Sequence, residues 1–299
     1  MKKRLSMFDV CNTIIMILVL AICIYPLYYT VIASISEPSA VVKGQVTIVP
    51  VDFTLQSYKH VFSNEEIWRG YANTIYYTIL GTIFNLFLTI PTAYALSKKK
   101  LPYKNFIMTL FLITMYFGGG MVPTYLLIKN LGMINTRWVM ILTGGISVYN
   151  LIVTKTYFSS SISESLYEAA DIDGAGEIKK FLSIGMPLAK PIVAVMTLYY
   201  SVNHWNSYFN ALLYISNRKL DPLQSVLRRI LILNEDALNN ALMMNELSTE
   251  EIVAAAKRAE AAYTMKYAVV FIASAPLLIM YPFIQKYFVK GVMIGAVKE

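Results

Sequence analysis

Two groups of residues have types and spacings suited to chemistry. The first lies in the 159–187 segment, where Glu168, Asp171 and Asp173 flank the small residues Ala169, Ala170 and Gly174. Three carboxylates this close invite comparison with a divalent-cation site, but no histidine or cysteine lies among them to complete a ligand set. The small residues offer a surface that another backbone can approach closely. Leu166, Tyr167 and Ile172, with Phe181 and Ile184, add apolar anchors. Such a surface left bare in water is unfavourable, so it reads as a docking face. The second group is Tyr199, Asn203, Asn206 and Asn210, spaced by four, three and four, with Ser207 and His204 alongside. At helical spacing these lie on one face. Amides and phenols there serve either as hydrogen-bond glue between helices or as the lining of a route for a hydroxyl-rich solute. His204 has no carboxylate near it in any apolar run and reads as a buried, hydrogen-bonded histidine rather than a proton relay.

The elements that must position these groups follow from composition. Of 299 residues, 57% are hydrophobic and only 15% charged, and the mean hydropathy is +0.53. A soluble domain carries roughly 25% charged residues, so this chain is an integral membrane protein. Cys11 and Cys23 are too few for a disulfide framework or a cysteine-rich metal site. Runs free of Asp, Glu, Lys and Arg cover 10–36, 70–97, 105–128, 138–154, 191–217 and 267–285. A bilayer needs about 20 apolar residues per helix, which predicts an all-α fold of six spans near 12–35, 72–97, 105–128, 137–158, 189–215 and 266–287. The whole of 1–299 is expected to form a single transmembrane domain. Gly118-Gly119-Gly120 and Pro123 interrupt the third span, either as a bend beside a pathway or as an interfacial turn.

Charge sets the orientation. With both termini in the cytoplasm, 14 basic residues against 7 acidic ones fall inside, including the run Lys98 to Lys104. That satisfies the positive-inside rule. The net charge of +8 is then topology and attraction to the lipid surface, not nucleic-acid binding. The outer 218–266 loop is nearly balanced in charge, and Ser248 with Glu251 has the capping-box spacing that opens a helix. In the inner 159–187 segment a helix is expected over about Ser165 to Ile172, a break at Gly174, and a second helix from Gly176 to Ile184, with Pro187 opening the approach to span five. The chain contains no G-x-x-x-x-G-K-[ST] loop, so nucleotide chemistry by that route belongs elsewhere.

Glu168-Ala169-Ala170, Gly174 and Ile184-Gly-Met-Pro187 together resemble the EAA signature of binding-protein-dependent ABC importer permeases. The form Glu168 to Ala175 is similar to that of carbohydrate importers, and the likeness continues through Phe181, Pro191, Trp205-Asn206 and Tyr208 to Leu212. The segment Phe117 to Tyr125 is similar to permeases for polysaccharide-derived oligosaccharides in Gram-positive bacteria. Gly185-Met186 departs from the commoner apolar pair before Pro187. The resemblance covers the whole chain. It implies a type I importer fold in the bacterial cytoplasmic membrane, with both termini inside. Glu168, Ala169, Ala170 and Gly174 would contact a cytoplasmic ATPase, with Asp171 and Asp173 toward basic groups or solvent and Phe181 and Pro187 supporting the loop.

The implied partners are a second, homologous permease, two ATPase subunits that bind ATP and Mg, and an extracytoplasmic sugar-binding protein that engages the 218–266 loop. Tyr199, Asn203, Asn206, Ser207 and Asn210 are the candidates for the substrate route. The chain itself is expected to hold no cofactor and to be no enzyme. A secondary transporter or channel for a polar solute is the alternative. It would normally show an intramembrane ionisable residue or inverted repeats, and neither is visible. A membrane-embedded enzyme would need a nucleophile–base or metal constellation, for which a lone His204 is thin support.

Overall fold

A computed structural model describes residues 7–230 and 263–279, together with 232, 260 and 282. The helix expected after Ser248 and the end of span six beyond 279, apart from 282, lie outside these residues. In chain order the helices are α1 (Met7–Ser34), α2 (Pro38–Val42), α3 (Gln56–Phe62), α4 (Glu65–Ser97), α5 (Lys104–Tyr116), α6 (Met121–Asn130) and α7 (Arg137–Leu142). They continue as α8 (Val148–Ser160), α9 (Glu164–Ile172), α10 (Glu177–Lys180), a π turn over Phe181–Gly185, α11 (Met186–Leu188), α12 (Lys190–Trp205) and α13 (Tyr208–Tyr214). The described residues contain helix and no strand. The chain divides into two compact units, Met1–Trp68 with Val226–Pro276, and Arg69–Ser225 with Leu277–Glu299.

In the first unit, α1 is apolar all round and almost wholly exposed, burying only Ile32, Ala33 and Ser34. A helix of mean hydropathy 2.5 in that state is built for lipid. Cys11 and Cys23 lie on its exposed surface. Its last turn packs with Ala40, Val41 and Val46 into a small core. Ser57 Oγ donates to Thr264 Oγ1 at 3.3 Å, and Arg229 pairs with Glu66 at 2.9 Å.

The second unit is organised on α4 from Arg69 onward. Asn64 Oδ1 accepts from the Glu66 amide at 2.9 Å and caps this helix, which runs unbroken through Pro91 to Ser97. Apolar clusters gather about both of its ends. One holds Tyr77 with Ile128, Val139 and Tyr214. The other holds Tyr94 and Leu96 with Leu151, Phe158, Tyr167 and Met196.

Three expected spans are broken helices. α5 and α6 meet at 111° across 117–120, where Gly120 takes φ +86. The fourth span, expected as one helix over 137–158, is instead α7 and α8, separated at 143–147, where Gly144 takes φ +74. A left-handed glycine cannot continue the helix, and Ser147 Oγ restarts it by accepting from the Asn150 amide at 3.4 Å. The fifth span stops at Trp205 and resumes at Tyr208. Asn210 therefore sits on a different helix from Tyr199 and Asn203, and the four-residue stripe is not one continuous face.

Candidate functional site

The 159–187 segment folds as the sequence indicates. α9 ends in a Schellman cap: the Ala175 amide donates to the Ala170 carbonyl at 2.9 Å and the Gly174 amide to that of Asp171 at 3.1 Å. Gly174 has φ +72 and open space where a side chain would be. The second helix is longer than expected, running from Glu177 through the π turn to Leu188. Pro187 has no N–H for the Ser183 carbonyl, and its ring would clash there in a regular α-helix. The turn just before it widens accordingly, and at Ala189 the chain bends by 78° into α12.

The faces of α9 divide cleanly. Glu168, Ala169, Asp171, Ile172, Asp173 and Gly174 are exposed, whereas Tyr167 and Ala170 are buried. Ile172 is 88% exposed and Ile178 77%, so two large apolar side chains stand bare beside the small-residue surface. Of the expected anchors, Tyr167 turns inward instead. Its ring packs edge-on to Tyr94 at 5.9 Å between centroids, and Tyr94 also meets Phe158 and Phe181 at 5.6 and 4.9 Å. Gly185 is seated against this cluster: a Cβ there would lie 3.2 Å from Tyr94 Cε2. The departure from an apolar pair at 185–186 thus has a local cause.

Electrostatics fix the loop on itself. Lys180 is buried, and its Nζ donates to Asp171 Oδ1 and Glu177 Oε1, each at 2.5 Å. The hydrogen bond from Lys180 holds the Asp171 carboxyl below its usual range, and those two carboxylates push Lys180 up. Lys99 pairs with Glu164, lowering that carboxyl as well. Asp171 is therefore a strut inside the loop. Asp173 and Glu168 are exposed, and Phe181 is half-buried in the aromatic seat while Pro187 is exposed.

The span-five candidates separate by face. Tyr199, Asn203 and Asn206 are exposed, Asn210 is half-exposed and Ser207 is buried. Asn206 spends its amide locally, donating to the Val202 carbonyl at 3.0 Å. An exposed stripe of phenol and amides on an otherwise apolar helix faces away from the unit's core.

The opposite face meets a polar seam on α4. Thr74, Thr78, Thr82, Asn85 and Thr89 recur at three- and four-residue spacing and are buried. Thr82 meets Ser201 at 3.2 Å and Thr89 meets the Tyr200 hydroxyl at 2.7 Å. Asn85 donates from Nδ2 to the Gly144 and Gly145 carbonyls at 3.1 and 2.8 Å, leaving its oxygen to accept from His204 Nε2 at 2.7 Å. His204 is thus a buried, hydrogen-bonded histidine, and its ring occupies the space a Cβ on Gly81 would need. The seam ties the break in span four to span five. The threonine spacing in α4 was its sequence signal; its partners on α12 and in the 143–147 break were not readable.

A family model described as binding-protein-dependent transport system inner membrane component matches residues 67–294. The chain belongs to this family. It is 40% identical to Protein LplC of Bacillus subtilis over 99% of this chain and 96% of that one. It is 35% identical to the polygalacturonan/rhamnogalacturonan transport system permease protein YtcP of the same organism, over the full length of both. Among solved structures, a chain from a bacterial ABC transporter involved in the import of the acidic polysaccharide alginate superposes with a TM-score of 0.81 and 31% identity, over 94% of this chain and 96% of that one. The fold is therefore that of an ABC importer permease, an inner membrane component, and the exposed face of α9 lies on the loop that carries the EAA-like signature.

Proposed function

We propose that this chain is the permease subunit of an ATP-driven importer that moves an oligosaccharide across the cytoplasmic membrane, coupled to a separate ATPase through the 159–187 loop. The observation that carries the reading is α9 itself. It is a capped helix seated by Tyr167, Tyr94 and Gly185, presenting Ala169, Ile172 and Gly174 outward as an apolar, small-residue face beside the exposed Glu168. The relative YtcP and the alginate-importer neighbour support a saccharide cargo.

In this reading 1–299 forms one transmembrane domain of six spans, counting each bent or broken pair as one, with both termini cytoplasmic. It pairs with a second, homologous permease. Two ATPase subunits hold ATP and Mg and supply the nucleotide chemistry. ATP-driven closure carries α9 as a rigid lever, and the π turn and the bend at Ala189 pass that motion to span five. An extracytoplasmic sugar-binding protein delivers the cargo at the 218–266 loop. Tyr199, Asn203, Asn206, Ser207 and Asn210 are assigned to the route; Ser207, buried at the helix break, acts there by shaping the bend, and the exposed phenol and amides meet sugar hydroxyls.

Gly174→Trp tests the coupling. The site is open in the free chain, so a bulky side chain adds only the cost of a left-handed backbone, about 1–2 kcal/mol, and obstructs whatever docks there. Membrane insertion should persist while oligosaccharide uptake falls at least tenfold. Undiminished uptake would remove the coupling role from this loop.

A further inference from the structure

A cavity of about 650 Å³ lies between the end of α4, the 98–104 turn and the 159–181 segment. Part of its wall is apolar: Pro91 and Ala95, exposed on the last two turns of α4, together with Leu101 and Pro102. The rest is charged, with five lysines against four carboxylates. The ion pairs account for most of these. Lys180 is committed to Asp171 and Glu177, and Lys99 to Glu164. Lys98, Lys100 and Lys104 reach no carboxylate within 4.0 Å among the described residues, and Glu168 is the one lining acid outside these pairs. Because Lys180 is shared by two carboxylates, the wall as a whole carries one positive charge in excess, placed on the side of Lys98, Lys100 and Lys104.

Lys98 is the most constrained of the three. Its Nζ lies 2.9 Å from the centre of the Tyr167 ring and 4.3 Å from that of Tyr94. The ring faces hold it in place while removing water from it. An anion beside Lys98, Lys100 and Lys104 would restore what that desolvation takes away.

We propose that this cavity binds the headgroup phosphate of an anionic phospholipid, with the adjoining acyl chain lying along Pro91 and Ala95. The argument is continuity. The basic residues begin one position after a membrane helix ends, and the apolar wall belongs to that helix's final turns. A basic pocket at the end of a membrane helix is suited to an anionic headgroup. A soluble phosphate ester carries the same charge but makes no use of the apolar wall. The inference requires only that α4 crosses a bilayer, and is independent of which solute is carried.

The test uses the intact complex in non-ionic detergent, supplied with phosphatidylglycerol or with phosphatidylcholine of the same acyl chains. Lipids retained per permease are counted by native mass spectrometry. Phosphatidylglycerol should be retained at least tenfold over phosphatidylcholine. Each of Lys98→Gln, Lys100→Gln and Lys104→Gln should weaken retention about fivefold, and the arginine substitutions should preserve it. Ala95→Trp should weaken it with no change in charge. Equal retention of the two lipids, or retention indifferent to these substitutions, would overturn the proposal. Displacement by millimolar glycerol 3-phosphate would assign the cavity to a soluble phosphate ester and overturn it equally. If Lys98→Gln does not assemble, the exposed Lys100→Gln and Ala95→Trp carry the same comparison.

Discussion

Gly185 and Lys180 show how single residues hold the 159–187 loop. Gly185 packs where Tyr94 leaves no room, and Tyr94 is itself hemmed in by Phe158, Tyr167 and Phe181. Gly185→Val should therefore destabilise this region by about 1–3 kcal/mol, read as a lower melting temperature of the purified complex. Tyr94→Leu in the same chain should recover part of the loss. Lys180 makes a different prediction, with pH. Asp171 and Glu164 have lowered carboxyl pKa values, so their contribution is present above the ordinary carboxylate range and is lost as pH falls through the lowered values. Lys180 is raised, so its contribution is complete below the ordinary lysine value and lost only at still higher pH. ATPase attachment should then be insensitive to this cluster between about pH 5 and pH 9, and should weaken on acidification only below about pH 4. A transition near pH 6 that follows Lys180→Met would contradict the assignment. Gly174 was legible in the sequence because a glycine just past a short helix has a specific backbone role. Lys180 was not, since a lysine is ordinarily solvated and nothing local marks one whose partners lie nine and three residues away. Nor did the anchor list separate Tyr167, which turns inward, from Leu166 and Ile172, which stay exposed: periodicity gives a face but not its neighbour.

At the scale of elements, composition located the apolar runs but not their interruptions. The triple glycine at 118–120 was visible as a break, because three glycines cannot be mistaken for a helix interior. Gly144-Gly145 passed as part of a run, since two glycines inside an apolar stretch are tolerated in membrane helices. What makes this break stable is non-local: Asn85 on α4 satisfies the Gly144 and Gly145 carbonyls within it. The same holds for the stripe on span five, which the stop at Trp205 divides. Asn85→Leu leaves those carbonyls and the His204 N–H unpaired, at about 1 kcal/mol or more for each group. His204→Phe removes one of the orphaned groups. The double variant should therefore melt higher than the sum of the two single losses predicts, by thermal denaturation of the purified complex. Strict additivity would mean that the Asn85–His204 hydrogen bond carries no weight in holding α4 against α12.

For the whole molecule, family membership and the superposition with an alginate-importer chain agree with the class indicated by the 168–187 signature. That signature was strong because a specific residue pattern fell in a loop whose exposure demanded a partner. The cargo was less legible, since its recognition depends on surfaces shared with other chains. The proposed coupling makes a prediction about assembly: Ile172, 88% exposed on α9, should be an apolar contact for the ATPase. The most direct measurement is affinity purification of this chain from native membranes in mild detergent, wild type beside Ile172→Arg, with the co-purifying proteins identified by mass spectrometry. The account predicts that the wild type brings down a second permease and an ABC ATPase, and that Ile172→Arg keeps the permease but loses most of the ATPase. A chain recovered alone, and transporting after reconstitution by itself, would contradict it and reopen the secondary-transporter reading.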